Sequence, residues 1–254
     1  MKKLSENEYK NAALLIADTA CGGIYARSIA EHIQSGDVFA DGGSVLFWHY
    51  CGFALVYGDC GSDFLAEVYD SYLSGKTVLP RRFFLFDRDG SLTNHFSGKP
   101  EILAERRLFF EYPVTRAVGE FPLPDGFEIR RITKELLAGI NGRITPYFSW
   151  ESADAFLSGG VGYCVTNGEH PAAWAFSAAV SADEIDIGVE TAEEFRRLGL
   201  ASAAAAAMIR HTLSVGKKPV WACHSENAAS KRLALRLGFE QTAECGTIKS
   251  VPTA

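Results

Sequence analysis

Along the second half of the chain, the hydrophobic and polar positions change repeatedly between strand-like alternation and helix-like spacing. Apolar stretches with a two-residue period predict strands, and periodic segments opened by a capping residue predict helices. From residue 127 onward the predicted order is β-α-α-β-β-β-α-β-α-β-β, the last two strands forming a hairpin. The predicted strands cover 127–132, 161–166, 172–180, 185–190, 219–224, 239–243 and 246–251, and the helices cover 133–141, 151–157, 200–209 and 227–237.

The first half reads as a mixed α/β region with a less regular pattern. Helical spacing predicts helices at 6–20, 25–34 and 62–73, and apolar runs predict strands at 45–50, 53–57, 82–86 and 107–111. Residues 119–126 contain two prolines and two glycines, which is typical of a linker. We therefore expect an N-terminal α/β domain over residues 1–120 and a second domain over residues 121–254.

Composition narrows the class of protein. The chain has 254 residues, of which 47% are hydrophobic and 22% charged, as in an ordinary globular protein. The net charge of -6 argues against a nucleic-acid partner, and no apolar run is long enough to span a membrane. A polar N-terminus and six cysteines without a Cys-x-x-Cys pair predict a reduced, cytoplasmic protein.

One stretch combines a strand, a basic loop and the start of a helix. Ile187 and Val189 alternate with polar neighbours, Arg196 and Arg197 follow, and Gly199 precedes an alanine-rich helix. A helix start offers unpaired backbone N–H groups and a favourable dipole to an anion, and glycine lets that anion approach closely. The pattern therefore predicts a binding site for a diphosphate.

Two motifs, placed within the predicted order of strands and helices, resemble those of the GNAT superfamily of acetyl-CoA-dependent N-acetyltransferases. Its Gln/Arg-x-x-Gly-x-Gly/Ala signature is matched by Arg196, Gly199 and Ala201, and its Asn-x-x-Ala/Ser helix by Asn227 and Ser230. The whole chain also resembles the longer GNAT subgroup that includes zwittermicin-resistance acetyltransferases. The resemblance implies an α/β (α+β) fold in which a mixed, mostly antiparallel sheet is flanked by helices. The N-terminal half would then be a smaller α/β domain, either a degenerate GNAT-like half or a domain that shapes the acceptor pocket.

The same resemblance implies acetyl-CoA as the co-substrate and assigns residues to it. Backbone N–H groups of the basic loop would hold the pyrophosphate, and the opening strand would pair with the pantetheine arm as an added strand would. The implied cofactor-binding residues are Val189, Thr191, Arg196, Arg197, Leu198, Gly199, Leu200, Ala201, Asn227 and Ser230. Tight packing of the alanine run, a solvated basic loop and a simple helix cap at Asn227 are the corresponding structural alternatives.

The catalytic residues are less well specified. The attacking amine must lose a proton, and Glu184, Asp186 and Glu190 lie on or beside the opening strand, where one of them can act as the base. We rank Glu190 and Asp186 above Glu184. Many GNAT enzymes place a tyrosine, the acid for the leaving thiolate, where this chain has Ala234, so His224 is the candidate donor. Tyr147, Trp150 and Tyr163 lie where acceptor-binding residues fall in the superfamily, or they pack in the core.

A second motif points to different chemistry. The apolar run ending in Asp87-Arg88-Asp89-Gly90 resembles the nucleophile strand of haloacid-dehalogenase-type phosphatases. Their later Gly-Asp-x-x-x-Asp motif is found only before this run, so we expect a turn instead. No histidine or cysteine spacing indicates a metal site.

These observations predict an N-acetyltransferase that moves an acetyl group from acetyl-CoA to a small-molecule or peptide amine by direct attack. The alternative is a non-catalytic acyl-CoA-binding or sensing module, which Ala234 and the undecided base leave open. The acidic net charge favours a cationic amine. A monomer and a homodimer both stay open.

Overall fold

The computed structural model describes residues 1–16 and 18–251. It divides the chain into two compact units. The first unit contains Met1–Phe109 and the C-terminal segment from Ala243, and the second contains Phe110–Thr242. The domain boundary at 120/121 stays a prediction. In the structure the chain leaves the first unit after Phe109 and returns to it at Ala243.

The first unit follows the order strand, two helices, three strands, helix, strand, helix, strand. Its elements are β1 (Lys2–Lys3), α1 (Tyr9–Ala13), α2 (Gly23–Ala30), β2 (Gly36–Asp41), β3 (Ser44–His49), β4 (Phe53–Gly58), α3 (Ser62–Val68), β5 (Phe84–Asp87), α4 (Ser91–His95) and β6 (Ile102–Glu111). The predicted helix over 6–20 is wrong in length, because α1 ends at Ala13. Residue 17 lies outside the described residues.

Strand pairing in the first unit is antiparallel from β1 to β4, and β4 then pairs with β5 in parallel. One face of these strands buries an apolar cluster that includes Leu46, Trp48, Val56 and Leu85. The other face lies under α2, where the Tyr25 ring contacts His49 at 5.1 Å and Phe53 at 4.8 Å between centroids. Both faces of β3 and β4 are therefore buried, which explains their nearly continuous apolar sequences.

Cysteine pairing differs from the prediction that all six thiols stay reduced. Cys21 and Cys245 form a disulfide, with their Cα atoms 6.0 Å apart and both residues buried. Cys51, Cys60, Cys164 and Cys223 are free thiols. Burial raises the pKa of Cys51 to about 11 and that of Cys164 to about 12, so neither thiol is a reactive thiolate near neutral pH.

The second unit confirms the predicted succession of elements up to its last helix. Its elements are β7 (Phe127–Arg131), α5 (Lys134–Gly139), α6 (Ala153–Gly159), β8 (Gly162–Asn167), β9 (His170–Val180), β10 (Glu184–Thr191), α7 (Leu200–Ser214), β11 (Lys218–His224) and α8 (Ala228–Leu237). Capping side chains explain where α5 and α6 begin. The side chains of Thr133 and Ser152 accept backbone N–H bonds at the starts of α5 and α6.

The hairpin predicted after residue 238 is wrong. A single strand, β12 (Glu240–Ser250), replaces it. Gly246, predicted to begin the second strand of that hairpin, is paired in extended conformation with Asp87 of β5. The strand begins in the second unit and ends in the first.

The mixed, mostly antiparallel arrangement predicted for the second unit is confirmed. Strands β7, β8, β9 and β10 pair antiparallel in sequence order, and β10 then pairs with β11 in parallel. Helix α7 packs on β8, β9 and β10, while α5 contacts β9. Among the described residues, no helix is long and apolar enough to cross a membrane.

Candidate active site

Strands β10 and β11 stay paired over a short distance only. Their register joins Glu184 to Lys218, Ile185 to Pro219 and Asp186 to Val220, and no pair follows within the described residues. Strand β10 nevertheless continues to Thr191 and β11 to His224. The later half of β10 therefore leaves its β11-facing edge without a strand partner, as a site for an added strand requires.

Beyond the point where β10 and β11 separate, the chain enters α7 through a loop with two positive φ angles. Arg197 has a φ of 69° and Gly199, the N-cap of α7, has a φ of 80°. Nothing lies within 4 Å of the position that a Cβ on Gly199 would occupy, so this backbone faces open space. The first N–H groups of α7 are left for a ligand or solvent.

The other loop residues assigned from sequence are mostly exposed. The guanidinium of Arg196 lies 3.8 Å from Glu193, and the Leu198 side chain is exposed. Leu200, by contrast, is buried as the first residue of α7, so it can contribute only its backbone. Val189 and Thr191 pair with β9 and are half-buried.

The alanine run packs the helix tightly against the strands. Ala203, Ala204, Ala205 and Ala206 are all at most 5% exposed, and α7 contacts four strands of the unit. Small side chains let the helix axis approach the sheet closely. Tight packing of α7 on the strands is therefore sufficient to explain the alanine run, without a cofactor beside it.

Asn227 and Ser230 both have structural partners at the start of α8. The Asn227 side chain accepts a hydrogen bond from the Ser230 N–H at 3.0 Å, which is a helix cap. The Ser230 hydroxyl accepts a hydrogen bond from the Trp221 indole N–H at 3.0 Å. The structure thus gives each residue a folding role beside the predicted binding role.

We expect Asn227→Ala to lower the free energy of unfolding by about 1 kcal/mol, since the cap is lost. Asn227→Asp keeps a capping oxygen and serves as the control, with stability close to that of the parent. Urea unfolding measures both variants. An Asn227→Ala protein as stable as the parent would show that the cap contributes nothing.

The three candidate bases occupy different environments. Glu184 is 5% exposed and lies 2.9 Å from the Lys218 ammonium, which also lies 3.1 Å from Glu111. Burial lowers the pKa of Lys218, but its hydrogen bonds to these two carboxylates outweigh burial and raise it overall. A carboxylate held in such a pair is poorly available as a base, so Glu184 is better described as structural.

Asp186 lies at the last residue pair before β10 and β11 part, and it is 6% exposed. The register between β10 and β9 shifts beside it: Asp186 faces Ala179, and Ile187 faces Ser177. The extra residue is therefore Ala178 of β9, so the alternation of side chains along β10 continues. Asp186 and Glu190 accordingly point to the same face.

Glu190 contacts a loop that sequence reasoning did not identify. Its carboxylate accepts a hydrogen bond from the Ile144 N–H at 2.6 Å, and the Trp174 indole N–H donates to the Ile144 carbonyl at 2.7 Å. Gly142 of the same loop leaves the room that the carboxylate occupies, because a Cβ there would clash with it. One carboxylate oxygen is thus held in place while the residue stays half-buried.

The two residues considered for the acid differ in what they can offer. Ala234 is fully buried, and its carbonyl accepts the Phe239 N–H, so nothing at this position donates a proton. His224 ends β11, and its Nδ1 accepts the Glu226 N–H at 3.2 Å. In the neutral ring Nε2 then carries the proton and can donate a hydrogen bond.

The three aromatic candidates separate clearly. Trp150 is 2% exposed and donates to the Ser177 carbonyl at 2.7 Å, so it belongs to the core. The Tyr163 hydroxyl lies 3.4 Å from Nδ1 of His211 on α7. Tyr147 is 47% exposed and is the one of the three open to an acceptor.

The phosphatase-like motif is a helix cap. Asp87 is 1% exposed, and its carboxylate accepts hydrogen bonds from the backbone of Gly90, Leu92 and Thr93 and from the Thr93 hydroxyl. A buried carboxylate whose lone pairs are so fully used is not a nucleophile. Among the described residues, no group of three or more histidine, cysteine or acidic side chains could hold a metal ion.

Comparison with known proteins agrees with this geometry. The sequence model of the GNAT acetyltransferase family matches residues 105–247, and the chain therefore belongs to the GNAT acetyltransferase family. It is 26% identical over 256 residues to the uncharacterized N-acetyltransferase YdfB of Bacillus subtilis, covering 96% of each chain.

Two solved structures show the same fold. A GCN5-related N-acetyltransferase-like protein from Streptococcus suis aligns with a TM-score of 0.73 and 20% identity, over 96% of this chain and 99% of that one. A tandem GNAT protein from the clavulanic acid biosynthesis pathway aligns with a TM-score of 0.61 and 14% identity, over 100% and 99%.

Proposed function

We propose that this acetyltransferase uses acetyl-CoA and transfers the acetyl group to a primary amine of a small molecule or peptide by direct attack. The observation that carries the proposal is the parting of β10 from β11 after Asp186 and Val220, beside the exposed start of α7. An extended arm can pair with the free edge of β10, while a diphosphate sits at the helix start. Family membership supports acetyl transfer in general.

In this proposal the cofactor residues divide by position. The backbone of Val189 and Thr191 pairs with the pantetheine arm. The pyrophosphate is bound by backbone N–H groups from Arg197 to Ala201, with Arg196 and Arg197 adding positive charge. Asn227 and Ser230 lie at the start of the next helix and contact the same ligand while keeping their roles in the fold.

The proposed chemistry needs a base and an oxyanion donor. Glu190 takes the proton of the amine, directly or through a water molecule, as the amine nitrogen bonds to the thioester carbonyl carbon. A backbone N–H on the free edge of β10 stabilises the oxyanion. The C–S bond then breaks, and the thiolate leaves and takes up a proton, for which His224 is the candidate donor.

Binding is tested first by coenzyme A and one steric variant. Coenzyme A at about 100 times its Kd should raise the Tm by about 5–10 °C. Gly199→Trp should weaken binding by about tenfold or more, because its side chain fills the open space in front of the α7 start.

Gly216→Trp is the matched control for this variant. Gly216 lies beyond the other end of α7, also has a positive φ of 73° and also faces open space, so it carries the same backbone strain away from the site. Isothermal titration calorimetry compares the two variants. Equal coenzyme A affinity in both would contradict the assigned site.

The competing proposal is a non-catalytic acyl-CoA sensor, which the buried Ala234 favours. Thiol release from acetyl-CoA in the presence of a panel of amines distinguishes the two, since a sensor binds but releases no thiol above the amine-free rate. The net charge of -6 favours cationic amines in that panel. A cytoplasmic location, homodimer formation and the zwittermicin-resistance subgroup stay predictions.

A further inference from the structure

The two halves of the chain repeat one order of elements, although no sequence repeat relates them. From β1 to β6 and from β7 to β12, each runs strand, two helices, three strands, helix, strand, helix, strand. The first four strands pair antiparallel in both, and the fourth then pairs with the fifth in parallel. Strand β4 therefore corresponds to β10, and α3 corresponds to α7.

The first unit has its own parting of strands at the corresponding place. Strand β4 pairs with β5 at Phe53 with Phe84 and at Ala54 with Leu85, and no pair follows within the described residues. Strand β4 nevertheless continues to Gly58, and β5 to Asp87. Topology alone would thus allow a second cofactor cleft.

Two side chains of the first unit contact each other near the ends of these strands. Tyr57, near the end of β4, is 1% exposed, and the guanidinium of Arg88, the first residue after β5, lies 4.5 Å from the centroid of its ring. Arg88 also pairs with Asp18 at 3.4 Å. In the second unit the residue after β11 is Ser225, which is too short to cover the strand opposite.

The helix start of the first unit is also unsuited to a diphosphate. Only Asp59, Cys60 and Gly61 connect β4 to α3, and the first turn of α3 carries Asp63. This connection contains no arginine or lysine, whereas the corresponding connection of the second unit carries Arg196 and Arg197. An acidic side chain in the first turn already meets the helix dipole and repels a second anion.

We propose that each chain binds one coenzyme A, in the second unit, and that the Arg88–Tyr57–Asp18 contact closes the corresponding cleft of the first unit. The inference rests on the proposed function and extends it to the whole chain. The first unit is then a non-catalytic copy of the same fold.

Calorimetric titration of the full chain with coenzyme A tests the stoichiometry. We expect one site per chain, which Gly199→Trp weakens by about tenfold or more. Arg88→Ala should leave the number of sites and the Kd unchanged within about twofold. It should lower the Tm by about 2–4 °C, because a cation–π contact and an ion pair are lost.

The outcomes separate the two proposals. No binding to the parent protein would overturn the proposed function and this inference with it. Two sites per chain would overturn only the inference, and so would a single site that Gly199→Trp spares. An Arg88→Ala protein with the Tm of the parent would contradict the closing role of the contact that Arg88 makes with Tyr57 and Asp18.

Discussion

Glu190→Gln should lower kcat for acetyl transfer about 100- to 1000-fold while changing the Kd for coenzyme A by no more than about twofold. Replacing a general base by an isosteric amide lowers kcat by about this factor, because the amide cannot take up the proton of the amine. The amide oxygen of glutamine can still accept the Ile144 N–H, so the loop held at 2.6 Å stays in place. Steady-state kinetics with the best amine of the panel measures the effect.

Glu184→Gln and Asp186→Asn complete this experiment. Glu184 is paired with Lys218, so its replacement should act on stability more than on kcat. Asp186, buried where the strands part, is the rival base. A larger loss of kcat in Asp186→Asn than in Glu190→Gln would transfer the role to Asp186, and an unchanged kcat in Glu190→Gln would remove Glu190 from the chemistry.

Lowering the pH from 7.5 to 5 should destabilise the parent protein by about 2 kcal/mol more than a His49→Asn variant. Burial, assisted by Arg81 and Arg82, lowers the pKa of His49 from 6.5 to about 3. Between these values the unfolded chain binds a proton that the folded protein does not. The contribution of His49 to the free energy of unfolding is therefore fully present above pH 6.5 and is lost steadily as the pH drops towards 3.

Asparagine is the appropriate replacement because His49 Nδ1 accepts the Cys51 N–H at 3.1 Å, which an asparagine oxygen can also accept. Urea unfolding of both proteins at the two pH values isolates the contribution of His49 from that of the other histidines. An identical pH dependence in parent and variant would show that His49 is protonated in the folded state.

The second unit could be predicted well because its local signals agree with its tertiary contacts. Asn227 caps α8 and Gly238 ends it with a φ of 103°, as the spacing of these residues indicates. The first unit was harder. Strand β2 has one buried residue, Val38, among six, so its sequence carries almost no strand pattern.

Long-range contacts limit what a single sequence can show about the site. The chain order gave no indication that Ile144 binds Glu190, since the two are 46 residues apart and the bond uses a backbone N–H. The ion pair between Lys218 and Glu184 was also not predictable from the sequence, because it forms across the parallel pair of β10 and β11. The residues show no internal repeat, and only the family resemblance suggested a GNAT-like first half, because two halves can share an order of elements without sharing residues.

The pairing of the last strand of each half works against expressing either half of the chain as a separate fragment. A fragment starting at residue 121 would lack β6 and the residue after it, Tyr112, whose N–H donates to the carbonyl of Pro219 in β11. It would also keep the end of β12 without β5, its partner at Gly246–Ile248. Such a fragment exposes unpaired strand edges, which favours aggregation. Expression trials should therefore keep the chain whole.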